Sequence, residues 1–262
     1  MDLYRLPGRS GLRNLFAPVE RNPGFGRQYV VMKLLLWDID LTLIKSGGSG
    51  IHALNRAFEG VYGWKNALNG VTPQGKTDPA IIREVCVNHG VSEDADVRWA
   101  VGSILDCYVG YLDHAVKTAE SYQVLPGIIA VLDAFRGRDD IVLGLATGNI
   151  EAAARIKLER GNLNAYFPFG GFGQISENRV DVVREASRQA RQWTGLGIAP
   201  DQTFVIGDTP HDVQAGREAG FQTVAVATGS SSVEQLRATG ADLVIEDFAS
   251  GRDQFMRSTR IV

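Results

Sequence analysis

The run Lys33-Leu34-Leu35-Leu36-Trp37 is apolar at every position after its lysine and stops abruptly at an acid, Asp38. Such a run cannot keep one face in water, so it reads as a strand buried on both sides, as in a parallel sheet between helices. Similar runs recur at Ile141–Ala146, Thr203–Ile206, Thr223–Val226 and Asp242–Ile245. Helical patterns fill the intervals, over Ile128–Arg136, Ile150–Arg160, Val180–Trp193, Asp212–Ala219 and Ser232–Ala238. Strand alternating with helix through short loops predicts an α/β fold: a Rossmann-like parallel sheet core with helices on both faces.

One segment breaks the rhythm. From about Ser46 to Tyr122 there is no strand signal, and amphipathic helices are expected near Ile51–Val61, Pro79–Val87 and Asp94–Ala119. Ser46-Gly47-Gly48-Ser49-Gly50 before this block and Val124-Leu125-Pro126-Gly127 after it have the composition of hinges. The expected organisation is therefore an α/β core over 32–46 and 123–262, interrupted by an inserted α-helical cap over 47–122. Residues 1–31 carry five arginines against Asp2 and Glu20 and show no sustained period. They read as a loose tail, with Met32 an alternative start, although an Arg-rich, acid-poor stretch is also how a transit peptide looks.

The whole chain of 262 residues carries a formal net charge of −3, which gives no global attraction to nucleic acid or a membrane surface. No apolar run is long enough to span a bilayer. The two cysteines, Cys86 and Cys107, are too few for a disulfide framework or a zinc site and are expected as buried thiols in a reducing, cytoplasmic setting. The four histidines are scattered, and Trp64 and Trp99 are expected to serve packing. Oligomeric state is open between monomer and homodimer.

Three motifs sit where predicted strands end. Asp38-Ile39-Asp40-Leu41-Thr42 puts two carboxylates at the exit of the first strand, where open α/β sheets bind their ligands. Clustered carboxylates there call for a hard cation, and oxygen ligands select Mg2+. Thr147-Gly148-Asn149 offers a hydroxyl and free backbone N–H groups where a helix begins, an anion site. Gly207-Asp208-Thr209-Pro210-His211-Asp212 adds a third acid at a strand end, with Asp212 one turn on and able to hold a water on the metal or orient a neighbouring ligand. Each motif alone also reads as helix capping; the three together, on separate strands, point to one metal and one phosphate.

In these motifs the chain resembles the haloacid-dehalogenase superfamily of phosphohydrolases, over about residues 33–247, and the helical insertion resembles its phosphoglycolate-phosphatase-like branch. The resemblance implies a Mg2+-dependent phosphatase acting on a small phosphorylated metabolite. Asp38 would attack phosphorus, Asp40 would protonate the leaving alcohol and then activate water, and Asp38, the Asp40 carbonyl and Asp208 would hold the metal. Thr147, with Gly148 and Asn149, would bind the phosphoryl oxygens. The family also places a basic residue on the phosphate; no Lys-Pro pair stands in its usual place, leaving Arg179 and Lys157 as the two candidates. In the insertion, Gly75-Lys76-Thr77-Asp78-Pro79 resembles a substrate-facing loop, with Lys76 and Thr77 as contacts, but also reads as a plain helix start. A phosphomutase, a haloacid dehalogenase and a non-catalytic binding protein are the alternatives on this fold.

Overall fold

The computed structural model describes residues 32–91 and 93–261. The tail expected over 1–31 lies outside the described residues. Strand β1 (Lys33–Trp37) is buried along its whole length. It lies between β4 (Ile141–Thr147) and β6 (Thr203–Gly207), pairing with both in parallel register: Trp37 faces Leu145 on one side and Ile206 on the other. With β5 (Gly170–Phe172), β7 (Gln222–Val226) and β8 (Leu243–Ile245), the six strands run in the order β5-β4-β1-β6-β7-β8. Strands are thus added to one side of β1 and then to the other, and the crevice of such a switch point opens at the carboxyl ends of the central strands.

The side-chain alternation of β1 divides the core. Leu34 and Leu36 pack with Val180, Val183 and Ala186 of α6 (Arg179–Thr194). Leu35 and Trp37 point to the opposite face, among residues of α4 (Ile128–Phe135) and α9 (Phe248–Ser258). There the Trp37 ring lies 5.1 Å from that of Phe248 and 6.1 Å from that of Phe255. Each of these fully buried apolar side chains contributes roughly 1.5–3 kcal/mol of transfer free energy. The remaining core helices are α5 (Glu151–Glu159), α7 (Pro210–Glu218) and α8 (Val233–Ala238).

Between β2 (Ile44–Lys45) and β3 (Gln123–Val124), which pair as a short antiparallel ribbon, stand α1 (Ser49–Tyr62), α2 (Asp78–Asn88) and α3 (Asp94–Thr118). Their buried faces form a separate cluster, including Phe58, Ile82, Ile104 and Leu112, that also takes in Ile150 and Ala153 of the core. No helix among the described residues is long and apolar enough to cross a membrane.

The expected strands and helices are present with ends shifted by one or two residues. The ribbon β2–β3, strand β5 and helix α9 were not anticipated. Trp64 packs as expected, stacked 4.3 Å from both Tyr62 and His89. Trp99 does not: it is 62% exposed and meets Tyr62 only edge-on. Cys86 is buried and Cys107 only half-buried.

Strand β5 escapes a sequence reading because two of its three residues are glycine, yet glycine is what packing demands. A Cβ on Gly171 would stand 1.9 Å from the Val182 carbonyl oxygen of α6. Helix backbone cannot retreat as a flexible side chain can, so Gly171→Ala is expected to cost more than about 2 kcal/mol. Urea unfolding measures it; a variant with an unchanged midpoint would show that α6 does not seat on β5 this closely.

Candidate active site

Asp38 follows β1 directly, is 7% exposed, and donates its backbone N–H to the Ile206 carbonyl at 2.9 Å. That bond fixes the first acid beside the end of β6, where Gly207 and Asp208 follow. Asp208 is buried, as is Asp212 in the first turn of α7. Ligand-capable oxygens of Asp38, Asp208 and Asp212 all lie within 4.8 Å of one another. Two glycines permit this crowding: a Cβ on Gly207 would stand 2.3 Å from Cγ of Asp212, and one on Gly229 only 1.8 Å from Oδ2 of Asp208.

Such proximity is costly for ionised groups. Burial, then repulsion from Asp212, pushes the Asp38 carboxyl up to about 7 despite the opposing charge of Arg179. Burial, with Asp212 and Asp38, pushes Asp208 to about 9. Asp212 is anchored by a capping box: its Oδ2 accepts from the Thr209 backbone N–H at 3.1 Å and from the Thr209 hydroxyl at 2.6 Å. Its Oδ1 accepts from Arg179. Three buried carboxylates against one guanidinium leave uncompensated negative charge, and an all-oxygen donor set of this kind fits a hard divalent cation. Asp212, expected to hold a water on the metal or to orient a neighbouring ligand, has an oxygen in the same cluster as those of Asp38 and Asp208.

Asp40 lies in a different environment. Its carboxylate accepts from the Ser46 hydroxyl at 2.9 Å, the Asn149 amide at 2.9 Å and the Lys157 ammonium at 2.6 Å. Burial alone would raise this acid, but the charge and hydrogen bond of Lys157, with Asn149 and Ser46, outweigh it and hold Asp40 below the ordinary carboxylate range. Lys157 is itself buried and also donates to the Asn149 side-chain carbonyl at 2.6 Å. Thr147 ends β4 and is fully buried, its hydroxyl near enough to Asp38 to favour that acid's ionised form. The Thr147 oxygen also accepts from the backbone and side chain of Asn149, at 3.3 and 2.9 Å.

Both candidate cations therefore reach the site, on opposite sides. Lys157 serves Asp40. Arg179, the first residue of α6, bridges Asp38 (3.5 Å) and Asp212 and crowds Gly148, whose Cβ would stand 2.8 Å from a guanidinium nitrogen. The Arg179 Nε is buried without an acceptor among the described residues.

The loop before α2 lies against the core. The Asp78 N–H donates to the Gly148 carbonyl at 2.8 Å, and the Asp78 carboxylate accepts from the Ile150 N–H at 2.8 Å. Lys76 lines the cavity but is paired with Glu84. Thr77 is fully buried and caps α2, its hydroxyl accepting from the Ala80 N–H at 3.4 Å. Its side chain serves the helix, so the plain helix-start reading holds for Thr77. The cavity, about 260 Å³, is lined by Asp38, Asp40, Asn149, Lys157, Arg179 and Asp208 from the core, and by Ile51, Leu54, Asp78, Ile81 and Tyr108 from the insertion. Of these insertion residues, Ile51, Leu54, Ile81 and Tyr108 carried no sequence signal beyond ordinary amphipathicity.

Burial raises the Asp78 carboxyl to about 6, against the opposing charge of Lys157. Its folded value lies above its unfolded value of 3.8, so the folded state holds more protons between the two. Stability attributable to this group therefore falls as pH rises through that window, and the penalty is complete above about 6. Asp78→Asn keeps an acceptor for Ile150 while removing the charge. It is expected to match the wild type near pH 4 and exceed it by roughly 1–3 kcal/mol near pH 7.5, as read from urea midpoints. A difference independent of pH would contradict this.

A sequence model described as haloacid dehalogenase-like hydrolase matches residues 35–226. The chain is 28% identical over 245 residues to a phosphoglycolate phosphatase of Rhodospirillum rubrum, covering 83% of this chain and 88% of that relative. Its fold is similar to the crystal structure of a predicted phosphatase from Clostridium acetobutylicum, with a TM-score of 0.65 and 19% identity over 87% of this chain and 99% of that one. It is also similar to CbbY from Rhodobacter sphaeroides in complex with phosphate, with a TM-score of 0.64 and 17% identity over 84% and 96% of the two chains.

Proposed function

The chain belongs to the haloacid dehalogenase-like hydrolase family, and from that premise we propose that it is a magnesium-dependent phosphatase that cleaves small phosphomonoesters through a phosphate ester of Asp38. The observation that carries this reading is the convergence of Asp38, Asp208 and Asp212 within 4.8 Å, with Arg179 alongside and Thr147 near Asp38. A carboxylate at the mouth of a sheet crevice, flanked by a cation and a hydroxyl, is suited to attack phosphorus. Asp38 and Asp208, with the Asp40 carbonyl and Asp212 nearby, would hold Mg2+, which when bound offsets the repulsion between the carboxylates and the phosphate dianion.

In the first step a carboxylate oxygen of Asp38 bonds to phosphorus as the phosphorus–alkoxide bond breaks. Thr147, the backbone N–H groups around Gly148 and Asn149, and Arg179 hold the phosphoryl oxygens, the guanidinium with directional donors. Asp40 gives its proton to the leaving oxygen. In the second step Asp40 takes a proton from water, which attacks phosphorus and releases Asp38 and phosphate. The contacts of Asp40 with Lys157, Asn149 and Ser46 suit it to the second task. An incoming phosphate dianion raises its affinity for a proton by like-charge repulsion, which suits it to the first. Residues 47–122 act as a cap over a core of 32–46 and 123–262, since the cavity takes residues from both.

With p-nitrophenyl phosphate and Mg2+, Asp38→Asn is expected to lower kcat by about 1,000-fold or more, and chelation to abolish turnover. Wild-type rates in that variant would end the reading. Asp208→Asn is expected to raise the Mg2+ concentration for half-maximal rate by roughly 10–100-fold; an unshifted Mg2+ titration would remove Asp208 from the metal set.

A further inference from the structure

The wall that the insertion contributes to the cavity is chemically distinct from the floor. Ile51, Leu54 and Ile81 make it apolar, and its polar groups include the Asp78 carboxylate and the Tyr108 hydroxyl. Tyr108 stands on α3 and is 1% exposed. Its hydroxyl makes no hydrogen bond among the described residues, although it lines the cavity. The ring is buried while the hydroxyl opens onto the cavity, which leaves its hydrogen-bonding capacity to whatever fills that space. A point on Gly50 fixes its place: a Cβ there would lie 3.6 Å from the Tyr108 oxygen and 3.4 Å from Lys157 Nζ. The hydroxyl therefore stands on the Asp40–Lys157 side, where the leaving group of the reaction above departs.

Charge narrows the ligand further. The cations of the buried cavity are already engaged by acids: Lys76 by Glu84, Lys157 by Asp40, and Arg179 by Asp38 and Asp212. Lys45 lies at the exposed rim. Asp78 adds negative charge to the wall itself. A leaving group bearing a carboxylate would meet Asp40 and Asp78 without a free buried cation to receive it.

We propose that Tyr108 determines specificity by hydrogen-bonding a hydroxyl on the short, uncharged leaving group of a phosphomonoester. The inference rests on the phosphatase reading for the position of the leaving group. Burial and the nearby charges of Asp78 and Asp40 raise the Tyr108 phenol well above its ordinary value, so it stays protonated and can donate.

Three two-carbon probes separate the features: ethyl phosphate, 2-hydroxyethyl phosphate and phosphoglycolate. The wild type is expected to favour 2-hydroxyethyl over ethyl phosphate in kcat/KM by about tenfold, the equivalent of one net hydrogen bond, and to favour it over phosphoglycolate. Tyr108→Phe keeps the ring and is expected to bring the hydroxyethyl-to-ethyl ratio to about one. A purely structural role for Tyr108 would lower both rates together and leave the ratio intact, overturning the proposal; so would a wild-type ratio near one. Phosphoglycolate as the best of the three would overturn the requirement for an uncharged leaving group. Should Tyr108→Phe fail to fold, Gly50→Ala places a methyl beside the hydroxyl at ordinary contact distance and is expected to reduce the same ratio; an unchanged ratio overturns the proposal. Calorimetric binding of the three compounds to Asp38→Asn with Mg2+ reads the same preference without turnover. A preference there with no wild-type hydrolysis defeats the phosphatase reading and upholds the Tyr108 contact, whereas hydrolysis without any preference does the reverse.

Discussion

The site depends on the mutual repulsion of three carboxylates that the fold holds within 4.8 Å of one another. Asp38 is delivered by β1, Asp208 by β6 and Asp212 by the first turn of α7, so none can withdraw without disturbing the sheet or a helix cap. The crowding raises the proton affinity of Asp38 and Asp208 and creates a demand for positive charge at the sheet edge. Arg179 meets part of it. A divalent ion would meet the rest and let a phosphate dianion approach the same place, so that the proposed binding and chemistry would both draw on that imbalance of charge.

Two acids of one short motif are driven in opposite directions by their surroundings. Asp38 sits among like charges and is pushed up, while Asp40 gathers an ammonium, an amide and a hydroxyl and is held down. The division of labour proposed for them, nucleophile and proton carrier, would arise from these different neighbours, because the side chains are chemically identical.

The insertion enters this scheme through close backbone contact. The loop before α2 presses on Gly148, where a Cβ would stand 2.2 Å from the Lys76 carbonyl oxygen, and Asp78 bonds to both Gly148 and Ile150. The loop proposed to hold phosphate is therefore also the seat of the insertion. That arrangement brings Tyr108 and the apolar wall into the same cavity as the strand-end acids, so the parts proposed to recognise a leaving group and to hold phosphate share one backbone contact.

The sequence alone determined the sheet, its helices, the helical interruption and the strand-end acids, because burial on both faces leaves continuous apolar runs and each polar interruption at a run's end stands out. It was silent on β5, where close packing against α6 replaces the usual strand residues with glycine. It also left the roles of Lys157 and Arg179 open. Only the tertiary structure decided that Lys157 meets Asp40 across 117 residues of chain and that Arg179 meets Asp38 across 141. The same holds for Tyr108, which is one more apolar-face residue on α3 until the helix is laid over the sheet. Periodicity records which side of an element is buried, whereas partners distant along the chain are chosen by how the finished elements pack.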